Sequence, residues 1–166
     1  GAETAVSQAD LVLFVVDARA GLTPTDRHFA QWLRRQGRPV LLIANKAEGR
    51  ASESSVLDAY ELGLGEPIAV SAEHGDGISY LMSEIADNIP PAEEDDGADE
   101  NNLVLKLAII GRPNAGKSTL MNRLLKQDRM ITGPEPGLTR DAITERLTDS
   151  EGNHYEIVDT AGLRRR

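Results

Sequence analysis

Gly111-Arg112-Pro113-Asn114-Ala115-Gly116-Lys117-Ser118 fits the pattern G-x-x-x-x-G-K-[ST] without a gap, and its reading decides the fold. An apolar, strand-like stretch from Leu103 to Ile110 precedes it. After it, Thr119-Leu120-Met121-Asn122-Arg123-Leu124-Leu125 carries apolar residues at helical spacing. Strand, loop and helix therefore stand in the order that a phosphate cradle requires. The glycines allow a tight turn, successive backbone N–H groups face the phosphate oxygens, and the helix N-terminus adds its positive dipole end. Lys117 is expected to reach the outer phosphates and Ser118 to hold Mg²⁺. A turn that meets the pattern by chance would not come with both flanking elements.

Upstream, Leu11-Val12-Leu13-Phe14-Val15-Val16 and Pro39-Val40-Leu41-Leu42-Ile43-Ala44 are continuous β-prone runs, as central parallel strands are. Pro67-Ile68-Ala69-Val70 supplies a third. Glu3 to Ala9 reads as helix. Thr23-Pro24 opens a helix with threonine at the N-cap and proline at the first helical position, and Phe29, Trp32 and Leu33 form its apolar face. Trp32 is read as core packing and His28, with no second ligand at i+4, as a surface histidine. Ser54 to Leu62 is expected as a short helix, and Ile78 to Ile89 as an amphipathic one. Three successive βα units imply a parallel, helix-covered sheet with right-handed crossovers. After the cradle, Ala142 to Thr148 and His154 to Val158 read as a hairpin turned at Ser150-Glu151-Gly152-Asn153.

Composition narrows the function classes. There are no cysteines, which excludes a disulfide frame and a thiolate metal site and makes a reducing cytoplasm the expected setting. Neither a membrane span nor a signal peptide is present in these residues. The net charge is -9, but Glu93, Glu94, Asp95, Asp96, Asp99 and Glu100 fall in one short segment. No broad basic face remains for nucleic acid, direct DNA binding is not expected, and Arg164-Arg165-Arg166 reads as a solvated tail. Pro90 to Asn102, with two prolines and a dense acidic block, reads as an extended linker. Extended, it reaches about 40 Å.

The remaining motifs fit a nucleoside triphosphate. Ser118 and Thr139 offer hydroxyls for Mg²⁺, the second from the Gly- and Pro-rich stretch Met130 to Asp141. Asp159 is expected to hold the metal through water, and the Gly162 N–H to meet the γ-phosphate. Asn45-Lys46-Ala47-Glu48 follows the second strand. Its carboxylate can accept two hydrogen bonds from a guanine edge, which adenine cannot supply. The Lys46 stem can lie along the base, and Ser71-Ala72-Glu73 can offer a backbone N–H to the base carbonyl.

G-R-P-N-A-G-K-S-T, P-G-L-T-R-D and D-T-A-G-L, together with N-K-A-E and S-A-E-H-G, resemble the Ras-like GTPases of bacterial ribosome assembly, most closely the tandem-domain family called Der or EngA. The resemblance covers nearly the whole chain. It implies an α/β P-loop NTPase fold in three layers around a mostly parallel sheet, GTP/GDP binding and slow hydrolysis with Mg²⁺. It implies Gly111 to Thr119, Asp159, Gly162, Asn45, Lys46, Glu48, Ser71, Ala72 and Glu73 as the nucleotide site, with Lys117, Thr139 and Asn114 catalytic. In related enzymes an asparagine at the place of Asn114 helps bind K⁺, an implied further cofactor. Leu163 follows D-T-A-G, so the glutamine that orients water in Ras-like proteins is absent. The ribosomal subunit is the implied partner of the intact family proteins.

Two departures from the family stand out. Glu48 replaces the aspartate of N-K-x-D, moving the carboxylate by about 1.5 Å. The second departure is that base recognition precedes the phosphate loop. The order is that of a circularly permuted Ras-like G domain, with 1–89 as the back half of one G domain, 90–102 as linker and 103–166 as the front half of the next. Because the halves derive from different domains, loose packing between them is expected. Three rival readings follow: a truncated fragment without turnover, G domains completed by exchange of halves between chains, and, from Glu48, an ATP-using enzyme.

Overall fold

The computed structural model describes residues 2–89, 104–127 and 145–158. In chain order the elements are α1 (Ala2–Gln8), β1 (Leu11–Asp17), α2 (Pro24–Gln36), β2 (Val40–Asn45), α3 (Glu53–Ala59), β3 (Ile68–Ala69), α4 (Ile78–Ala86), β4 (Val104–Ile110), α5 (Lys117–Gln127), β5 (Glu145–Thr148) and β6 (His154–Ile157). Short 3₁₀ turns, Arg50–Ser52 and Tyr60–Leu62, flank α3. The expected helix over 54–62 is thus α-helical only to Ala59, its last turn is 3₁₀, and Gly63, in the left-handed conformation, ends it.

One sheet holds all six strands in the order β3-β2-β1-β4-β6-β5. Every pairing is parallel except β5 with β6, the expected hairpin. β1 lies between β2 and β4, with Phe14 opposite Leu42 on one side and Ile110 on the other. All seven β1 residues are buried, as its unbroken apolar run requires.

Alternation along β1 divides the core into two layers. Leu11, Leu13 and Val15 face a layer built with Leu81 and Ile85 of α4, Leu120 and Leu124 of α5, and Leu107 and Ile157 of the sheet. Val12, Phe14 and Val16 face the other, with Val6 of α1, Ala30 and Leu33 of α2, and Ala59 of α3. Each fully buried aliphatic or Phe side chain contributes about 1.5–3 kcal/mol of transfer free energy. Both layers draw residues from before and after the 90–103 stretch. Both segments thus contribute to each layer, and the cooperativity of unfolding is the measure of how tightly they pack. Phe29 stacks on Phe14 and meets Trp32 edge-on, so Trp32 is packed as expected, while His28 is exposed.

The α2 N-terminus is built as its sequence directs. Thr23 caps it, its hydroxyl accepting the Asp26 N–H, and the Asp26 carboxylate in turn accepts the Thr23 N–H at 2.9 Å. Two elements are shorter than expected. β3 spans only Ile68 and Ala69; Val70 still bonds Ala44 and Ala47 beside it, and the chain then turns at Ser71 into a bridge with Asp76. α4 ends at Ala86, beyond which Asn88 and Ile89 make i→i−3 bonds that tighten the last turn.

Candidate functional site

The parallel strands β1, β2, β3 and β4 end on the same edge of the sheet, so the loops after Asp17, Asn45, Val70 and Ile110 converge there. β1 is followed in sequence by β2 and β3 on one side and flanked by β4 on the other. The chain reverses direction across the sheet between β1 and β4, the place where open α/β sheets leave a crevice for ligands.

The cradle Gly111–Gly116 sits at this crevice, leading from β4 into α5. Two of its glycines are there for close approach. A Cβ on Gly111, at φ 152°, would lie 2.3 Å from the Val15 carbonyl oxygen of β1. On Gly116, at φ 96°, it would lie 2.2 Å from the Asn45 amide nitrogen. Side chains from the neighbouring loops then pin the cradle in place. Buried Asn45 donates from Nδ2 to the Ala115 carbonyl at 2.8 Å and accepts the Ala72 N–H on Oδ1 at 3.0 Å. These partners fix which way the amide faces. Lys46, held at φ 62°, donates to the Asn114 carbonyl at 2.7 Å and to Asp17 Oδ2 at 2.8 Å. Arg112 donates through Nε to Asp26 Oδ1 at 2.9 Å. Asn114 itself has φ 72°.

Lys117 opens α5 and donates to the Gly111 carbonyl at 2.7 Å, closing the loop on itself. Burial pushes its amine below the ordinary value of 10.5. That lone carbonyl contact and the loop N–H groups make the cradle electropositive and anion-seeking. Ser118 and Thr119 are exposed on the first turn of α5, and Pro113 is exposed in the loop.

At the other end of the crevice the groups are acidic. Glu48 pairs with Arg19 through one carboxylate oxygen, while Oε2 is buried without a hydrogen bond of normal geometry, as is Ser71 Oγ. The nearby Ser71 hydroxyl and the Arg19 guanidinium favour the charged form and hold the Glu48 carboxyl below its ordinary value, against the cost of desolvation. A ligand atom of Glu73 and one of His74 lie within 4.8 Å of Glu48. Arg123 of α5 donates to the Ala72 carbonyl at 2.9 Å and also bonds the Glu73 carbonyl, seating this loop.

Of the residues singled out in sequence, Asn45 and Lys46 therefore touch the 111–119 segment, Ala72 joins it through Asn45, and Glu48, Ser71 and Glu73 gather on the adjoining loops. Thr139, Asp159, Gly162 and the 90–102 linker lie outside the described residues. Four residues that the motifs did not single out hold the site together: Asp17, Arg19, Asp26 and Arg123. Asp26 was legible in T-x-x-D, the capping pattern. Asp17 was marked only by closing an apolar run. Arg19 and Arg123 carried no local signal. Burial alone would raise the Asp17 pKa, but the Lys46 ammonium and the N–H groups of Ala20 and Arg19 outweigh it and hold the carboxyl below 3.8.

A family model described as 50S ribosome-binding GTPase matches residues 1–46 and 106–166. Among curated proteins, the GTPase Der of Azorhizobium caulinodans is 54% identical over 172 residues, 99% of this chain and 38% of that protein. The GTPase Der of Nitrobacter hamburgensis is 51% identical over 174 residues, with 99% and 38% covered. The chain thus spans 38% of the length of these relatives. Among solved structures, YjeQ from Thermotoga maritima superposes with a TM-score of 0.56 at 20% identity, over 96% of this chain and 51% of that one, a likeness of fold.

Proposed function

Since the chain belongs to the 50S ribosome-binding GTPase family, we propose that it binds GTP and GDP in the crevice between its phosphate loop and base-recognition loops, and hydrolyses GTP slowly. What supports this reading most is the Asn45 bridge, one buried side chain joining the phosphate loop at Ala115 to the S-A-E loop at Ala72. It sets cradle and base loops at one fixed spacing, as a ligand with phosphates at one end and a base at the other needs.

The local chemistry fits such a ligand. Glycines at 111 and 116 leave the loop close-packed against Val15 and Asn45, with its N–H groups available to phosphate oxygens. Lys117, with its amine partly desolvated, exchanges the Gly111 carbonyl for the outer phosphates. The buried Glu48 Oε2 and Ser71 Oγ gain, in a guanine edge, hydrogen-bonding partners of the right kind. The Lys46 stem covers the base plane while its ammonium stays on Asn114 and Asp17. Thr119 and the backbone from Gly111 to Gly116 complete the phosphate contacts, and Arg112, Pro113 and Ala115 act through their main chain.

Ser118, Thr139 and Asp159 would hold Mg²⁺, which supplies positive charge to the phosphates when bound. Asn114 would contribute to a K⁺ site beside the same phosphates. Catalysis is electrostatic and positional, because no side chain among the described residues is placed as a general base and Leu163 stands where a water-orienting glutamine would be. Residues 1–89 and 103–166 form, on this reading, one permuted G domain across the 90–102 linker. The setting is cytoplasmic, and no helix among the described residues is long and apolar enough to cross a membrane. Contact with the ribosome is assigned to the longer Der proteins, and nucleotide binding to this chain.

Competition of GTP, GDP and ATP against a fluorescent guanine nucleotide, with magnesium, tests the reading. Guanine nucleotides should displace the probe and ATP should not. Equal displacement by ATP, or no probe binding, refutes it.

A further inference from the structure

The phosphate loop is tied to α2 by one of its own side chains. Arg112, its second residue, directs its guanidinium away from the cradle to Asp26, at the third position of α2. The Asp26 side chain is fully buried, while that of Arg112 is 24% exposed. Both carboxylate oxygens are used: Oδ1 accepts Arg112 Nε at 2.9 Å, and Oδ2 accepts the Thr23 N–H at 2.9 Å. Asp26 therefore does two jobs, closing the α2 capping box and holding the phosphate loop across 86 residues of sequence.

We propose that Asp26 is a positioning residue for phosphate binding, acting through Arg112. A loop entry held by a guanidinium hydrogen bond to a fully buried side chain moves only if that contact is broken in low dielectric. Asn45 and Lys46 hold the loop at Ala115 and Asn114 by neutral or exposed contacts to carbonyls. At the Gly111–Pro113 entry, the Arg112–Asp26 pair joins the Lys117 bond to the Gly111 carbonyl, and it is the side-chain tie there that reaches α2. Because α2 carries Asp26 and packs Phe29 on Phe14 of β1, the entry to the cradle takes its position from the sheet's own centre. The pair also neutralises Arg112, so a phosphate meets Lys117 and backbone N–H groups and no second free cation from this part of the loop.

This inference rests on the reading of Gly111–Ser118 as a phosphate site, and the test separates the two. The measured quantity is the ratio of affinities for GDP and guanosine, obtained by titration and by competition on the full chain for wild type, Asp26→Asn, Arg112→Gln and the double variant. If wild type binds both ligands equally, the phosphate reading falls. If wild type prefers GDP, each single variant should lower the ratio by about tenfold with guanosine affinity unchanged, and the double variant should lower it no further, as for contacting residues that act as one unit. A ratio that does not move, or losses that add in the double variant, overturns the proposal. So does tighter GDP binding by Asp26→Asn with a steeper salt dependence, which would make the pair a charge neutraliser alone. Should Asp26→Asn not fold, Arg112→Gln, at a partly exposed side chain, decides by the same ratio.

Discussion

Replacing Asn45 with alanine strips hydrogen bonds from two main-chain groups that no water can reach. Asn45 is 2% exposed, and its amide serves the Ala115 carbonyl at 2.8 Å and the Ala72 N–H at 3.0 Å. Each buried group left unsatisfied costs about 1–3 kcal/mol. The sum, about 2–6 kcal/mol, is a large share of the roughly 5–15 kcal/mol that holds a domain together. At about 2–4 °C per kcal/mol for a chain of this size, the midpoint of thermal unfolding should drop by roughly 10 °C. Urea unfolding measured by circular dichroism gives the free energy directly. Asn45→Asp is the informative companion: it is isosteric, keeps an acceptor for Ala72, and turns a carboxylate oxygen toward the Ala115 carbonyl. It should be at least as unstable as the alanine variant at neutral pH. If both variants lose less than about 1 kcal/mol, the bridge is not holding the two loops.

Three further outcomes follow from the same geometry. Gly116→Ala must place a Cβ 2.2 Å from the Asn45 amide at φ 96°, so GDP affinity by calorimetry should fall by at least about tenfold, given about 1–2 kcal/mol for the backbone alone; unchanged affinity would show that the loop relaxes freely. Asp17 and Asp149 both titrate below their ordinary value of 3.8 in the folded chain, Asp149 because Asn153 and Tyr155 bond its carboxylate against the cost of burial. Their stabilisation is complete above that value and is lost as pH falls through the lower folded values, so Asp17→Asn should flatten the acid limb of a melting-temperature profile below about pH 4; an unchanged slope counts against it. Trp32, the single tryptophan, reports on α2 alone, whereas far-ultraviolet circular dichroism reports on both segments. Coincident transitions are expected from the shared core layers, and two separate ones would bear out the loose packing expected from the sequence.

What the sequence disclosed was whatever is encoded locally. β1 and β2 were readable because strands covered on both faces need a continuous apolar run, and the α2 start because Thr23 and Pro24 act within one turn. The cradle was readable because its chemistry depends on spacing along the chain. The length of β3 was not, since Ser71 leaves the ladder to bridge Asp76, a choice made by tertiary packing. The partners of Arg112 and Arg123 were hidden for the same reason. An arginine's sequence neighbours say little about a carboxylate 86 residues away or a carbonyl 51 away. The motif residues whose loops adjoin at the crevice were legible, and the residues that hold those loops in position were mostly not.

The place of β1 between β2 and β4 has a consequence for how the molecule breathes. Its amides from Val12 to Phe14 lie in strands paired on both sides and beneath two core layers, so no local opening exposes them to solvent. Their hydrogens should exchange with deuterium only when the whole sheet comes apart, last in the molecule, with β5 at the far edge among the first. The crevice loops hang from that slow centre at Asp17, Asn45 and Gly111, and each is one residue beyond, or at, the end of a strand that cannot fray alone. A bound nucleotide would then slow exchange chiefly in the loops, and the free-energy scale against which their motion is read is set by β1.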